Sequence, residues 1–169
     1  MPDQHDFKRG MRRLASGVSI ITTMEGDRPH GIAATSVTSV SADPTPILLV
    51  CVSKTASCHD HMLKAGHFCV NLLSEGDVET ARLFSSAEGR TRRFQSSEWD
   101  VMSTGAPALT YALANFDCRI QRSLEIQSHS VLFGEVVDVR IRGGDVHPLI
   151  YVEGRFAGLG SSHSRHVGA

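Results

Sequence analysis

Residues 33–57 read AATSVTSVSADPTPILLVCVSKTAS. The first half has the β-branched content of a strand, yet Thr35, Ser36, Thr38, Ser39 and Ser41 put hydroxyls on both faces. A strand that only fills a core carries Val, Ile or Phe on at least one face. Asp43-Pro44 marks a turn, Ile47 to Val52 is a continuous apolar run, and Ser53-Lys54-Thr55-Ala56-Ser57 opens a helix. Neutral hydrogen-bonding groups beside a basic, hydroxyl-rich helix start suit a flat heterocycle with a phosphate tail, and flavin is the leading candidate. The plain alternative is a solvent-facing strand of ordinary β-branched residues.

Outward from this stretch, the pattern is strands punctuated by short helices. Phe7, Met11 and Leu14 recur at helical spacing between Lys and Arg residues, which predicts an amphipathic helix from about Asp3 to Ala15, stopped by Gly17. Val18 to Thr23 and Ile32 to Ser41 read as strands joined by a polar hairpin loop. A helix is expected over Cys58 to Lys64 with Ser57 as its N-cap, then a strand from Phe68 to Leu73 and a helix from Val78 to Phe84. Residues 85–105 form a polar surface excursion, followed by long strands at Leu109 to Gln127, Ser130 to Ile141 and Leu149 to Phe156. Strands at hairpin spacing argue for one mainly-β antiparallel barrel over residues 1–160, with a flexible tail over 161–169.

Composition narrows the function. Seventeen Lys and Arg balance eighteen Asp and Glu, a net charge of -1 that gives no basis for binding nucleic acid or an anionic membrane. No apolar run approaches a membrane span, and the N-terminal segment lacks a secretory h-region. Four irregularly spaced cysteines then read as reduced thiols, and the cytoplasm as the expected location. No G-x-G-x-x-G follows a strand, which disfavours a Rossmann site.

Five segments, GVSIITT, HGIAATSVTSVSADPTPILLVCVSKTAS, FCVNLL, HSVLFGEVVDV and PLIYVEGRFAGL, occur in the order found in the short-chain flavin reductases of two-component monooxygenases. The chain resembles that family from about Phe7 to Leu159. The resemblance implies an FMN-binding split barrel, a Greek-key barrel that forms a homodimer with flavin at the interface. It also implies reduction of FMN, or FAD, by NADH or NADPH, with the reduced flavin leaving for a separate monooxygenase. No arginine cluster stands out in the sequence, which favours NADH over NADPH.

Ala34, Thr35, Ser36, Thr38 and Ser39 are expected along the isoalloxazine edge, and Val52, Ser53, Lys54 and Ser57 near the phosphate, where a helix start and a cation favour anions. Asn71, Arg82, Phe94, Tyr151 and Arg155 are further cofactor-binding candidates. His129 is the catalytic candidate, at the position the family fills with Gly-Asp-His; here Gln127-Ser128 precede it. The resemblance links that histidine to nicotinamide binding. A non-catalytic flavin-binding module is the first alternative. A structural zinc protein is the second, because Cys58, His59, His61, His67 and Cys69 fall within twelve residues, though without the C-x2-C spacing of a zinc knuckle. No metal is expected.

Overall fold

The computed structural model describes residues 3–159, and its elements in chain order are α1 (Gln4–Met11), β1 (Ser16–Gly17), β2 (Ser19–Glu25), β3 (Arg28–Ala34), β4 (Thr38–Ser41), β5 (Ile47–Ser53), α2 (His59–Ala65), β6 (His67–Leu72), α3 (Val78–Ser85), β7 (Trp99–Val101), β8 (Pro107–Leu109), β9 (Ala114–Ile126), β10 (His129–Ile141), β11 (Ile150–Val152) and β12 (Arg155–Ala157). Seven strands form the main sheet in the order β3-β2-β6-β9-β10-β5-β4, with every neighbouring pair antiparallel. The mainly-β antiparallel architecture is therefore the one expected.

The predicted single strand from Ile32 to Ser41 is broken. β3 ends its ladder with β2 at Ala34, and β4 begins pairing with β5 at Thr38, so Thr35, Ser36 and Val37 have no ladder partner. These three residues carry the chain from one edge of the sheet to the other. Ser36 stitches the seam: its hydroxyl donates to the Cys51 carbonyl and accepts from the Cys51 N–H, both at 3.1 Å. A side chain thus replaces the ladder bonds that a continuous strand would make.

Other boundaries also move. The first helix stops at Met11, and Gly17 lies in β1, paired with Ile150, rather than acting as a helix stop. Asp3 caps that helix by accepting from the His5 N–H at 3.0 Å, while Phe7, Met11 and Leu14 remain exposed. The predicted strand from Leu109 splits into β8 and β9, and Leu149 to Phe156 is a hairpin, β11 and β12, turning at Glu153-Gly154. The tail over 161–169 lies outside the described residues.

β2 explains why the barrel holds together. Ile20 and Ile21 are both fully buried but face different clusters. Ile21 packs with Val50, Met62, Phe68 and Leu132, and Ile20 with Val18, Leu73, Phe84 and Leu149. Full burial of such side chains contributes roughly 1.5–3 kcal/mol each. One strand buried on both faces couples the barrel interior to the helix α3 side.

Candidate functional site

An open cavity of about 880 Å³ lies between the end of β3, helix α3 and the β11–β12 hairpin. Ala33, Ala34 and Thr35 form one wall, where the chain leaves its ladder. Opposite stand Arg82 and Leu83 of α3, with Ser86 and Arg92 beyond it. Tyr151, Gly154 and Arg155 complete the mouth. The hairpin can hold them there because Glu153 and Gly154 adopt φ of 52° and 78°, the left-handed pair of a tight two-residue turn. Its position is fixed from outside by the Glu153 N–H, which donates to the Arg12 carbonyl at 2.7 Å.

Arg82, Arg92 and Arg155 are far apart in sequence but line this one cavity, so the absence of an arginine cluster holds only along the chain. Glu79 and Glu88 share the lining, and Glu79 accepts a hydrogen bond from Arg82. The lining therefore offers cations on one side and neutral backbone and hydroxyl groups on the other.

Arg93 does not reach the cavity; it builds the wall. Only 7% exposed, its guanidinium donates to the carbonyls of Leu83 at 3.1 Å, Ser86 at 2.8 Å and Gly31 at 2.8 Å. It also stands 5.5 Å from the centre of the Phe84 ring. Burial pulls its pKa down from the usual arginine value. Helix ends leave carbonyls unsatisfied and carry partial negative charge, so a cation without a carboxylate partner is stabilised at the C-terminus of α3.

A second group of candidates gathers at the β9–β10 turn. His129 is exposed, opposite Ser53 in the ladder between β10 and β5. Ser128 Oγ lies 2.9 Å from His129 Nδ1, so a serine contacts the ring where the family pattern has an aspartate. Gln127 occupies φ 50°, a conformation that suits glycine and costs a β-carbon-bearing residue energy. The Lys54 N–H donates to the Ser128 carbonyl at 2.9 Å, and the Ser53 and Thr55 hydroxyls meet at 2.9 Å. Lys54 Nζ donates to Glu125 at 2.7 Å and holds that carboxyl below its usual pKa. Behind the turn, buried His59 joins Ser130 Oγ at 2.9 Å through Nε2 and Asp60 at 2.6 Å through Nδ1.

The structure thus collects Ala34, Thr35, Arg82, Tyr151 and Arg155 at the cavity, and Ser53, Lys54 and His129 at the turn. Ser36 links the two through Cys51, while Thr38 and Ser39 are exposed on β4. The structure gives Asn71 and Phe94 other roles, and it refines the expectations for Val52 and Ser57. Asn71 is fully buried: its amide donates to Ile20 O at 2.9 Å, and its carbonyl accepts from Leu109 N at 2.7 Å and Asn115 Nδ2 at 2.8 Å. Phe94 packs on Phe84 and Trp99, with ring centres 5.3 and 5.0 Å away, instead of covering the cavity. Val52 is 1% exposed and fills the barrel core, so only its backbone is available. Ser57 does not cap α2; Cys58 takes the N-cap position with no side-chain bond.

The zinc cluster read from the sequence does not assemble. Cys58 and Cys69 are buried thiols; burial pushes Cys58 up to about 11 and raises Cys69 further. His59 is engaged by Ser130, and His67 by the Ala65 carbonyl. Ser86, Arg92 and the wall-building Arg93 are not singled out for the site by the sequence; the only signal for the two arginines is the TRRF segment, which reads as an ordinary charged loop, and Ser86 carries none.

Comparison with known proteins agrees with this geometry. The family model described as flavin reductase like domain matches residues 11–160. The FMN reductase (NADH) RutF of Pseudomonas syringae pv. syringae is 37% identical over 155 residues, spanning 92% of this chain and 86% of the relative. The RutF of Agrobacterium fabrum is 38% identical over 89% of this chain and 86% of its own length. Among solved structures, the Streptomyces globisporus NADH:FAD oxidoreductase SgcE6, in complex with NAD and FAD fragments, superposes with a TM-score of 0.87 at 29% identity, covering 96% of each chain. Nitrilotriacetate monooxygenase component B from Mycobacterium thermoresistibile superposes at 0.90 with 28% identity, covering 99% of this chain and 92% of that one. With its barrel, its crossover and its order of motifs, this chain belongs to the flavin reductase like domain family.

Proposed function

We propose that this protein is an NADH-dependent flavin reductase, acting on FMN or FAD and releasing reduced flavin to a separate oxygenase. The observation that carries this reading is an uncharged wall, Ala33 to Thr35, meeting three arginines, Arg82, Arg92 and Arg155, which outnumber the carboxylates Glu79 and Glu88 around one cavity. That donor set fits a flavin. Backbone and hydroxyl groups satisfy the polar edge of an isoalloxazine without burying a formal charge, and cations suit its phosphate. The neighbouring group of Ser53, Lys54 and His129 supports a second anionic or nicotinamide subsite. The curated relatives are named as NADH-dependent FMN reductases, and one structural neighbour is a component of a monooxygenase.

The bound groups themselves supply the two-electron chemistry. This chain's residues bind and orient. Thr35 and the ladder-free backbone beside it hold the ring edge, Arg82 and Arg155 hold phosphate oxygens, and Ser53 and Lys54 extend the polar rim. His129, steadied by Ser128, holds the nicotinamide amide group. Close approach of two oriented rings accounts for most of the acceleration that such a site needs, so no acid–base pair is required of the protein.

A homodimer is part of the proposal. The exposed Phe7 and Met11 of α1, Leu14 just after it, and the exposed Leu124 and Ile126 beside the β9–β10 turn support a second copy as cover. Four free thiols support a reducing compartment, the cytoplasm. No helix among the described residues is long and apolar enough to cross a membrane. The test mixes protein, NADH and FMN under air and follows absorbance at about 340 nm. Flavin-dependent decay is the expected result. A chain that holds flavin without consuming NADH is a binding module instead, and the proposal fails.

A further inference from the structure

At the far end of β3 from the cavity, three side chains from three elements converge. Glu25 ends β2, His30 is the third residue of β3, and His61 lies on α2. Their ligating atoms all lie within 4.8 Å of one another. His30 and His61 stack with ring centres 3.8 Å apart and planes 13° from parallel. His61 Nδ1 contacts one Glu25 oxygen and Lys64 contacts the other. His30 Nε2 is buried and has no hydrogen-bond partner among the described residues, which leaves a polar nitrogen unsatisfied within the cluster.

We propose that Glu25, His30 and His61 form a binding site for one borderline transition-metal dication, Zn²⁺ foremost. Two imidazoles and a carboxylate are the donor set that Zn²⁺ accepts in three-ligand sites, with water as the fourth ligand. Room for that water exists: a hollow of about 490 Å³ is lined by Glu25, Gly26, Arg28, His61 and Lys64. Arg28 and Lys64 oppose a cation, and Lys64 must release Glu25. Lys64 is 77% exposed at its side chain, so water readily receives it.

Parallel rings direct their nitrogen lone pairs side by side, whereas a tetrahedral ion needs them to converge. Binding therefore opens the stack, with His61 turning on the helix surface while His30 stays anchored in its strand. The ion then clasps the β2–β3 hairpin to α2. His30 is four residues from Ala34 along an extended strand, about 13 Å, so this clasp stands apart from the flavin cavity. It is also a different set from the one the sequence spacing suggested, sharing only His61.

The test strips the full-length protein with EDTA and titrates Zn²⁺ against a chromophoric chelator. The expected result is one Zn²⁺ per chain, at least about tenfold weaker in His61→Ala and in His30→Gln, and unchanged in His5→Ala, which removes a histidine from the exposed Asp3–His5–Asp6 group. Saturating Zn²⁺ should raise the melting temperature by about 5–10 °C at a hundredfold excess over its dissociation constant. His61 is on the helix surface, so its alanine variant should fold, and far-UV circular dichroism verifies this. No stoichiometric binding, or binding that survives either His30→Gln or His61→Ala unchanged in a folded chain, overturns the proposal.

Discussion

Replacing Arg93 with methionine keeps most of the apolar stem and removes the guanidinium. Three carbonyls then lose their donor: Leu83, Ser86 and Gly31. Bonds from a charged donor contribute about 1.5–3 kcal/mol each, and the cation over Phe84 about 0.5–2 kcal/mol. The gross loss is thus about 5–11 kcal/mol. Against this, the variant no longer has to strip water from a buried cation, which costs several kcal/mol. Taking the middle of that range, about 8 kcal/mol, less about 4–5 kcal/mol for desolvation, the net destabilisation is about 3–4 kcal/mol, or roughly 6–16 °C in melting temperature for a chain of this size. Arg93→Lys retains the charge but presents a point donor in place of a fork, and should recover only part of the loss. The assay is thermal unfolding by circular dichroism, with KM for FMN measured below the transition. Leu83 and Ser86 line the cavity, so KM should rise in both variants. A methionine variant that melts within 2 °C of the parent (roughly 1 kcal/mol or less) refutes the role given to Arg93.

Other residues make narrower tests. His129→Ala should raise KM for NADH about tenfold, the loss of one hydrogen bond, and leave flavin affinity within about twofold; equal losses for both, seen by steady-state kinetics and flavin titration, count against a nicotinamide role. Lys54 holds Glu125 below its ordinary pKa of 4.5, so this pair's contribution is complete above that value and disappears as pH falls through the lowered one. The melting temperatures of the parent and Glu125→Gln should therefore differ slightly at pH 7 and converge as the pH falls well below 4.5. Gln127→Gly relieves a left-handed backbone and should stabilise the chain by up to about 1 kcal/mol, read by urea denaturation.

Strands with a continuous apolar signal were legible. Ile47 to Val52 falls within β5, and Phe68 to Leu73 on β6 but for its last residue, because continuous apolar runs announce themselves; β6 is buried on both faces and β5 half-buried on one. The break at Thr35–Val37 was not, since Thr35-Ser36-Val37 is repeated by Thr38-Ser39-Val40 in β4 and nothing local marks a change of partner. Asn71 stood among the cofactor-binding candidates, and only the tertiary structure shows that Leu109 and Asn115 already satisfy its carbonyl. Phe94 and Arg93 lie in a segment that reads as surface, yet one packs on two aromatic rings and the other anchors a helix end. Arg82, Arg92 and Arg155 converge only through tertiary structure, beyond the reach of spacing rules.

The passage through Thr35, Ser36 and Val37 makes binding and architecture share one joint. The two outermost strands of the sheet are tethered there by three residues and one serine hydroxyl, with no ladder across the gap. A ligand seated against Thr35 rests on one end of this tether as well as filling a hole. How long it stays and how often the tether springs apart are then governed by the same local opening, so a chain that must let its cargo go has reason to keep this stitch thin.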